Sequence, residues 1–106
     1  MEKTILSTLK APAAIGPYEQ GIRVGSFIFT SGQIPINPET NELISGEIED
    51  ETKQVLKNIG AVLEAGGSSL ENTVKITVYL KNMSNFSRMN KIYQSFFSKN
   101  KPARTC

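Results

Sequence analysis

Histidine and tryptophan are absent from this chain of 106 residues, and cysteine occurs once. Without histidine there is no imidazole to serve as a neutral-pH general base. Ser–His and Cys–His nucleophilic machinery is therefore excluded. One thiol and no imidazole leave too few ligands for a zinc or other transition-metal site within the chain. A lone cysteine cannot close an internal disulfide, which suits a reducing, cytoplasmic setting. No apolar run reaches membrane-spanning length. The opening Met1-Glu2-Lys3-Thr4-Ile5-Leu6 lacks the apolar stretch of a secretory signal. Charge of one sign is also scarce: the net charge is +2, and the lysines are scattered apart from Lys99 and Lys101. That argues against nucleic acid as a partner. Arginine is limited to Arg23, Arg88 and Arg104.

What is present describes one soluble domain spanning residues 1–106, with 39% hydrophobic and 21% charged residues. Residues 4–7 read as a short strand. Residues 11–18 carry two prolines and a glycine, which excludes regular structure. The segment is nonetheless apolar, so it is expected to pack over something, with Tyr18 projecting. Strands at 20–24 and 27–31 flank Gly25-Ser26, a tight hairpin signal. Phe27-Ile28-Phe29-Thr30 is apolar on both faces and is expected to be a central strand covered on each side. It ends in Ser31-Gly32-Gln33, where the glycine would let a backbone or a ligand come close. Residues 34–41 form a proline-punctuated loop.

From 48 to 65 the spacing turns helical, with Ile48, Val55, Leu56, Ile59, Val62 and Leu63 on one stripe. Gly66-Gly67 closes that helix. Residues 74–80, β-branched and alternating, read as the clearest strand. Ser84 is a plausible N-cap for a second amphipathic helix carrying Phe86, Met89, Tyr93, Phe96 and Phe97. Asn90 lies one step off that stripe, and Asn100-Lys101-Pro102 ends the helix. The order implies an α+β fold in which two helices cover one face of a mixed sheet. The other face is left apolar and open, which predicts self-association.

The terminal stretch Pro102-Ala103-Arg104-Thr105-Cys106 concentrates unusual residues. An arginine fork matches a carboxylate through two parallel hydrogen bonds, so Arg104 is the candidate grip for a small acidic molecule. The plain alternative is a solvent-facing arginine on a terminal strand. Cys106 as a nucleophile has no histidine to activate it.

Five segments together resemble the RidA/YjgF family of small imine deaminases. They are Ala13-Ala14-Ile15-Gly16-Pro17-Tyr18, Phe29-Thr30-Ser31-Gly32-Gln33-Ile34-Pro35, Val74-Lys75, Asn90-Lys91-Ile92-Tyr93 with Phe96-Phe97, and Pro102 to Cys106. The resemblance runs nearly end to end. It implies a chorismate-mutase-like fold assembled as a homotrimer, with the sheets forming a central barrel and active sites between subunits. It also implies hydrolysis of reactive 2-imino and enamine acids to 2-oxo acids and ammonia, with no metal or cofactor. By the same resemblance Arg104 holds the substrate carboxylate, the Cys106 backbone N–H faces the ligand, and Tyr18, Ser31, Gly32 and Asn90 line the cleft. Family members continue past the matching cysteine into further strands, one bearing a glutamate that positions the attacking water. No residue here matches that glutamate, and the domain is expected to lack those strands. Two alternatives stand beside deamination. One is a trimeric binding protein for small 2-oxo acids; the other is the endoribonuclease or translation-inhibitor activity attributed to some relatives.

Overall fold

The computed structural model describes residues 2–106. Its first layer is an antiparallel sheet of β1 (Lys3–Leu6), β2 (Gly21–Val24) and β3 (Phe27–Thr30). Gly25 turns the β2–β3 hairpin at a φ of 58°, a left-handed value that glycine adopts without steric cost. Leu6 pairs with Gly21, and Gly21 with Thr30, so one face carries Leu6, Gly21 and Ile28. Helix α1 (Ile48–Ala65) packs on that face through Val62, which is fully buried. Gly21 permits the approach, since a Cβ there would lie 2.7 Å from Val62 Cγ1.

The opposite face aligns Ile5, Ile22 and Phe29, with Val24 and Phe27 beside them. Phe27 and Phe29 are 64% and 63% exposed. The expectation that this strand is central and covered on both sides is therefore corrected. Within the chain β3 is an edge strand of the order β1–β2–β3, and α1 packs on the face opposite Phe27 and Phe29.

A single mixed sheet does not form either; the strands divide into three small sheets. β4 (Ile36–Asn37), inside the expected loop, and β5 (Glu42–Leu43), just past its end, make a miniature hairpin. Its turn is held by Asn37 Oδ1, which accepts from the Glu39 and Thr40 N–H groups, and by Asn41 at a φ of 61°. β6 (Lys75–Thr77) and β7 (Ala103–Thr105) pair in parallel, placing Ile76 beside Arg104. The strand expected over 74–80 is shorter because its ladder extends only as far as β7 supplies partners.

Helix α2 (Phe86–Phe96) packs against α1 around Leu56, Met89, Tyr93 and Phe97, with Ile48, Leu70 and Ile76 at the margin. Ser84 is not its N-cap. Asn82 Oδ1 accepts from Ser84 N–H, building a single 3₁₀ turn (Met83–Asn85) ahead of the helix. An Asn side chain competes well for such a local backbone donor. No helix among the described residues is long and apolar enough to cross a membrane.

Candidate functional site

The three arginines have different fates. Arg23 Nη1 donates to the Gly66 carbonyl at the end of α1, 3.0 Å away. Arg88 joins the two helices through Glu49 on α1 and Glu47 at its N-terminal cap position. Its hydrogen bond holds the Glu49 carboxyl below the ordinary glutamate range, while Arg88 itself is pushed upward. Both side chains serve the scaffold. Arg104 differs: like Arg23 it pairs with no carboxylate among the described residues, but its hydrogen-bond partner is a side-chain amide on α2 rather than a backbone carbonyl.

Arg104 sits at the middle of β7 on the face that meets α2. Phe86, Asn90 and Tyr93 stand four and three residues apart on α2, which places them on one helix face. Arg104 Nη1 donates to Asn90 Oδ1 at 2.7 Å. Its Cζ lies 4.6 Å from the Tyr93 ring centroid and 5.4 Å from that of Phe86. The guanidinium is thus held by one amide and two rings, and most of its donors remain free. Tyr93 is buried, and burial raises its hydroxyl pKa against the opposing pull of Arg104. It is therefore neutral at physiological pH and cannot act as a counter-ion.

Beside Arg104 opens a cleft of about 470 Å³. Tyr93, Phe97 and Pro102 give it an apolar wall; Asn90, Gln94, Lys101 and Arg104 give it polar groups, none of them acidic. A cation, amides and an apolar wall can orient a small carboxylic acid.

Of the residues expected in the site, the structure joins Arg104 and Asn90 directly. Tyr18, Ser31, Gly32 and Cys106 do not line this cleft. Tyr18 is about half exposed, and its hydroxyl accepts a long bond from Ile15 N–H at 3.5 Å. The Ser31 hydroxyl donates to the Glu19 carbonyl, and Ser31 N–H to the Gln20 carbonyl. Gly32 is exposed, with open space where a Cβ would project. Cys106 is an exposed free thiol. One chain therefore presents two groups: Arg104 with Asn90 on α2 and β7, and Tyr18, Ser31 and Gly32 around the end of β3.

Two buried amides behind the second group escaped the sequence reading. Gln20, 5% exposed, accepts from Thr8 N–H and donates to the Thr8, Ala11 and Pro12 carbonyls. It ties down the segment that leads to Tyr18. Asn58, fully buried on α1, donates to the Ile34 and Ile36 carbonyls just past Gly32, and accepts from Gln54. Asn58 had a legible signal, an amide on the apolar stripe between Val55 and Val62. Gln20 had none.

A small α+β domain with an unpaired arginine bedded on aromatic rings is the class defined so far. The sequence model of the family described as Endoribonuclease L-PSP matches residues 8–106, and the chain belongs to this family, which includes the RidA/YjgF proteins. A RutC family protein of Pyrococcus abyssi is 53% identical over 104 residues, covering 98% of this chain and 82% of that protein. The 2-iminobutanoate/2-iminopropanoate deaminase of Homo sapiens is 45% identical over 102 residues, covering 96% of this chain and 74% of the relative. The crystal structure of E. coli TdcF with bound serine superposes with a TM-score of 0.93 at 39% identity, covering 97% of this chain and 83% of that one.

Proposed function

We propose that this protein hydrolyses 2-imino acids to 2-oxo acids and ammonia. The observation that carries the reading is Arg104, a guanidinium held by Asn90, Tyr93 and Phe86 with no carboxylate partner among the described residues. Two of its N–H groups would hold the substrate carboxylate, and the apolar wall would take a short side chain. Water adds to the imine carbon, the resulting carbinolamine expels ammonia, and the carbonyl of the 2-oxo acid forms. Imines hydrolyse readily, so orientation and charge supply what a strong base would otherwise provide. The deaminase named among the relatives supports the reaction class, and serine bound to TdcF supports recognition of a small α-carboxylate.

The same proposal includes a homotrimer associated through the Ile5–Ile22–Phe29 face, with the Tyr18 group of one copy completing the Arg104 cleft of the next. Tyr18, Ser31, Gly32 and the Cys106 backbone would then meet the ligand there. The test is to add the protein to freshly generated 2-iminobutanoate and follow 2-oxobutanoate. Release faster than the spontaneous rate is expected; an unchanged rate refutes catalysis. A second reading, binding of 2-oxo acids without turnover, is favoured by one observation: the cleft lining has no acidic residue to aim a water. Saturable binding of 2-oxobutanoate without rate enhancement would select it.

A further inference from the structure

We infer that Tyr93 is a positioning residue for Arg104, its ring holding the guanidinium in the orientation that receives a carboxylate. This rests on the reading of Arg104 as the carboxylate grip. The ring centroid lies 4.6 Å from Arg104 Cζ, nearer than that of Phe86 at 5.4 Å. Tyr93 cannot easily move away. It is 8% exposed and tilts against Phe97 with ring centroids 4.7 Å apart, inside the core shared by α1 and α2.

The contact suits its purpose because it consumes no donor. An arginine carries five N–H donors and a long, entropically costly side chain. A carboxylate partner would fix the side chain but occupy the donors a substrate needs. A ring beneath the guanidinium fixes it through the face and leaves the donors available. Asn90 takes one N–H of Nη1 and sets the rotation about the chain axis.

The hydroxyl identifies the ring as the working part. It is buried and has no hydrogen-bond partner among the described residues. A buried orphan hydroxyl lends the fold no hydrogen bond, so replacing it with hydrogen leaves the ring and the packing in place. A side chain present only to fill the core would be replaceable by an aliphatic one of similar bulk. A side chain present to hold a cation would not.

The experiment compares Tyr93→Phe and Tyr93→Leu. The readouts are the dissociation constant for 2-oxobutanoate and the NMR shift of the Arg104 Nε–H, which a nearby ring face displaces upfield. Tyr93→Phe is expected to keep both. Tyr93→Leu is expected to lose most of the upfield displacement, leaving the smaller part due to Phe86, and to bind about tenfold more weakly. A folded Tyr93→Leu that binds like the wild type overturns the inference, and so does a Tyr93→Phe as impaired as Tyr93→Leu. Should Tyr93→Leu unfold, a series of increasingly fluorinated phenylalanines at the same position decides. These keep the shape while draining the ring of electron density, so affinity is expected to fall along the series; a flat series overturns the inference. If the wild type does not bind 2-oxobutanoate at all, the proposed function fails separately. The Arg104 resonance then decides alone: release in Tyr93→Leu but not Tyr93→Phe upholds the positioning role, and no change in Tyr93→Leu removes it.

Discussion

Arg104→Lys keeps the charge and removes the fork. In the wild type two N–H groups can face a carboxylate while a third reaches Asn90 Oδ1. An ammonium offers a point charge without that parallel pair. Loss of one charge-assisted bond, together with a weaker hold on the Tyr93 ring, amounts to about 2–3 kcal/mol. That corresponds to an affinity for 2-oxobutanoate lower by about 30- to 150-fold. The fold is expected to tolerate the change. Arg104 makes no ion pair among the described residues, and Asn90 is only half-buried, so its amide can turn to water. Calorimetric titration with 2-oxobutanoate measures the loss, circular dichroism checks the fold, and imine turnover is expected to fall in parallel. Near-wild-type affinity in a folded Arg104→Lys would remove Arg104 from the site and refute the argument from its free donors.

Asn58→Leu strands the Ile34 and Ile36 carbonyls that Asn58 now satisfies. A loss of about 2–4 kcal/mol is expected from the denaturation midpoint; an unchanged midpoint would mean that water replaces the amide. Glu49 has a folded pKa below its ordinary value of 4.5, chiefly through its hydrogen bond to Arg88. Its stabilising contribution is therefore present above the unfolded value and lost as pH falls through the folded one. An NMR titration should place its midpoint below that of an ordinary glutamate, and Arg88→Gln should return it upward. The proposed homotrimer is expected to sediment at three times the 11.6 kDa chain mass. A joint Phe27→Ser and Phe29→Ser change should shift the protein to monomer, and a wild-type monomer would end the trimer proposal.

The helices were legible because their apolar residues recur at helical spacing over many positions. α1 spans Ile48–Ala65, the interval its stripe and Gly66-Gly67 mark out. The β2–β3 hairpin was legible for a local reason, since Gly25-Ser26 admits few turns. Sheet membership was not, because a strand's partners lie far away in sequence. Residues 74–80 have uniform strand character, yet only Lys75–Thr77 pair with β7. Nor could periodicity reveal which faces of β3 are covered; Phe27 and Phe29 look like core but are mostly exposed within the chain. In the site, Arg104 stood out by rarity and Asn90 by resemblance. The ring contacts with Phe86 and Tyr93 were hidden, because the same residues also form the apolar stripe of α2.

That double use of α2 bears on how the site keeps its shape. One helix face contributes Met89 and Tyr93 to the core, and Asn90, Tyr93 and Phe86 to the contacts of Arg104. The same packing that fixes the helix therefore fixes the bed of the guanidinium, and a rigid element places a binding group more accurately than a loop does. The Tyr18, Ser31 and Gly32 group stands on different ground, a loop tied at one end by Gln20 and a strand end followed by a segment pinned by Asn58. Neither group surrounds a ligand alone. The apolar face with Ile5, Ile22 and Phe29 belongs to the sheet whose β3 leads directly into Ser31 and Gly32. Association through that face would thus position the loop group against a neighbouring copy with the accuracy of sheet packing. Under the proposed function the buried amides, the open face and Arg104 would address one requirement: holding a small anion between elements that are each rigid before it arrives.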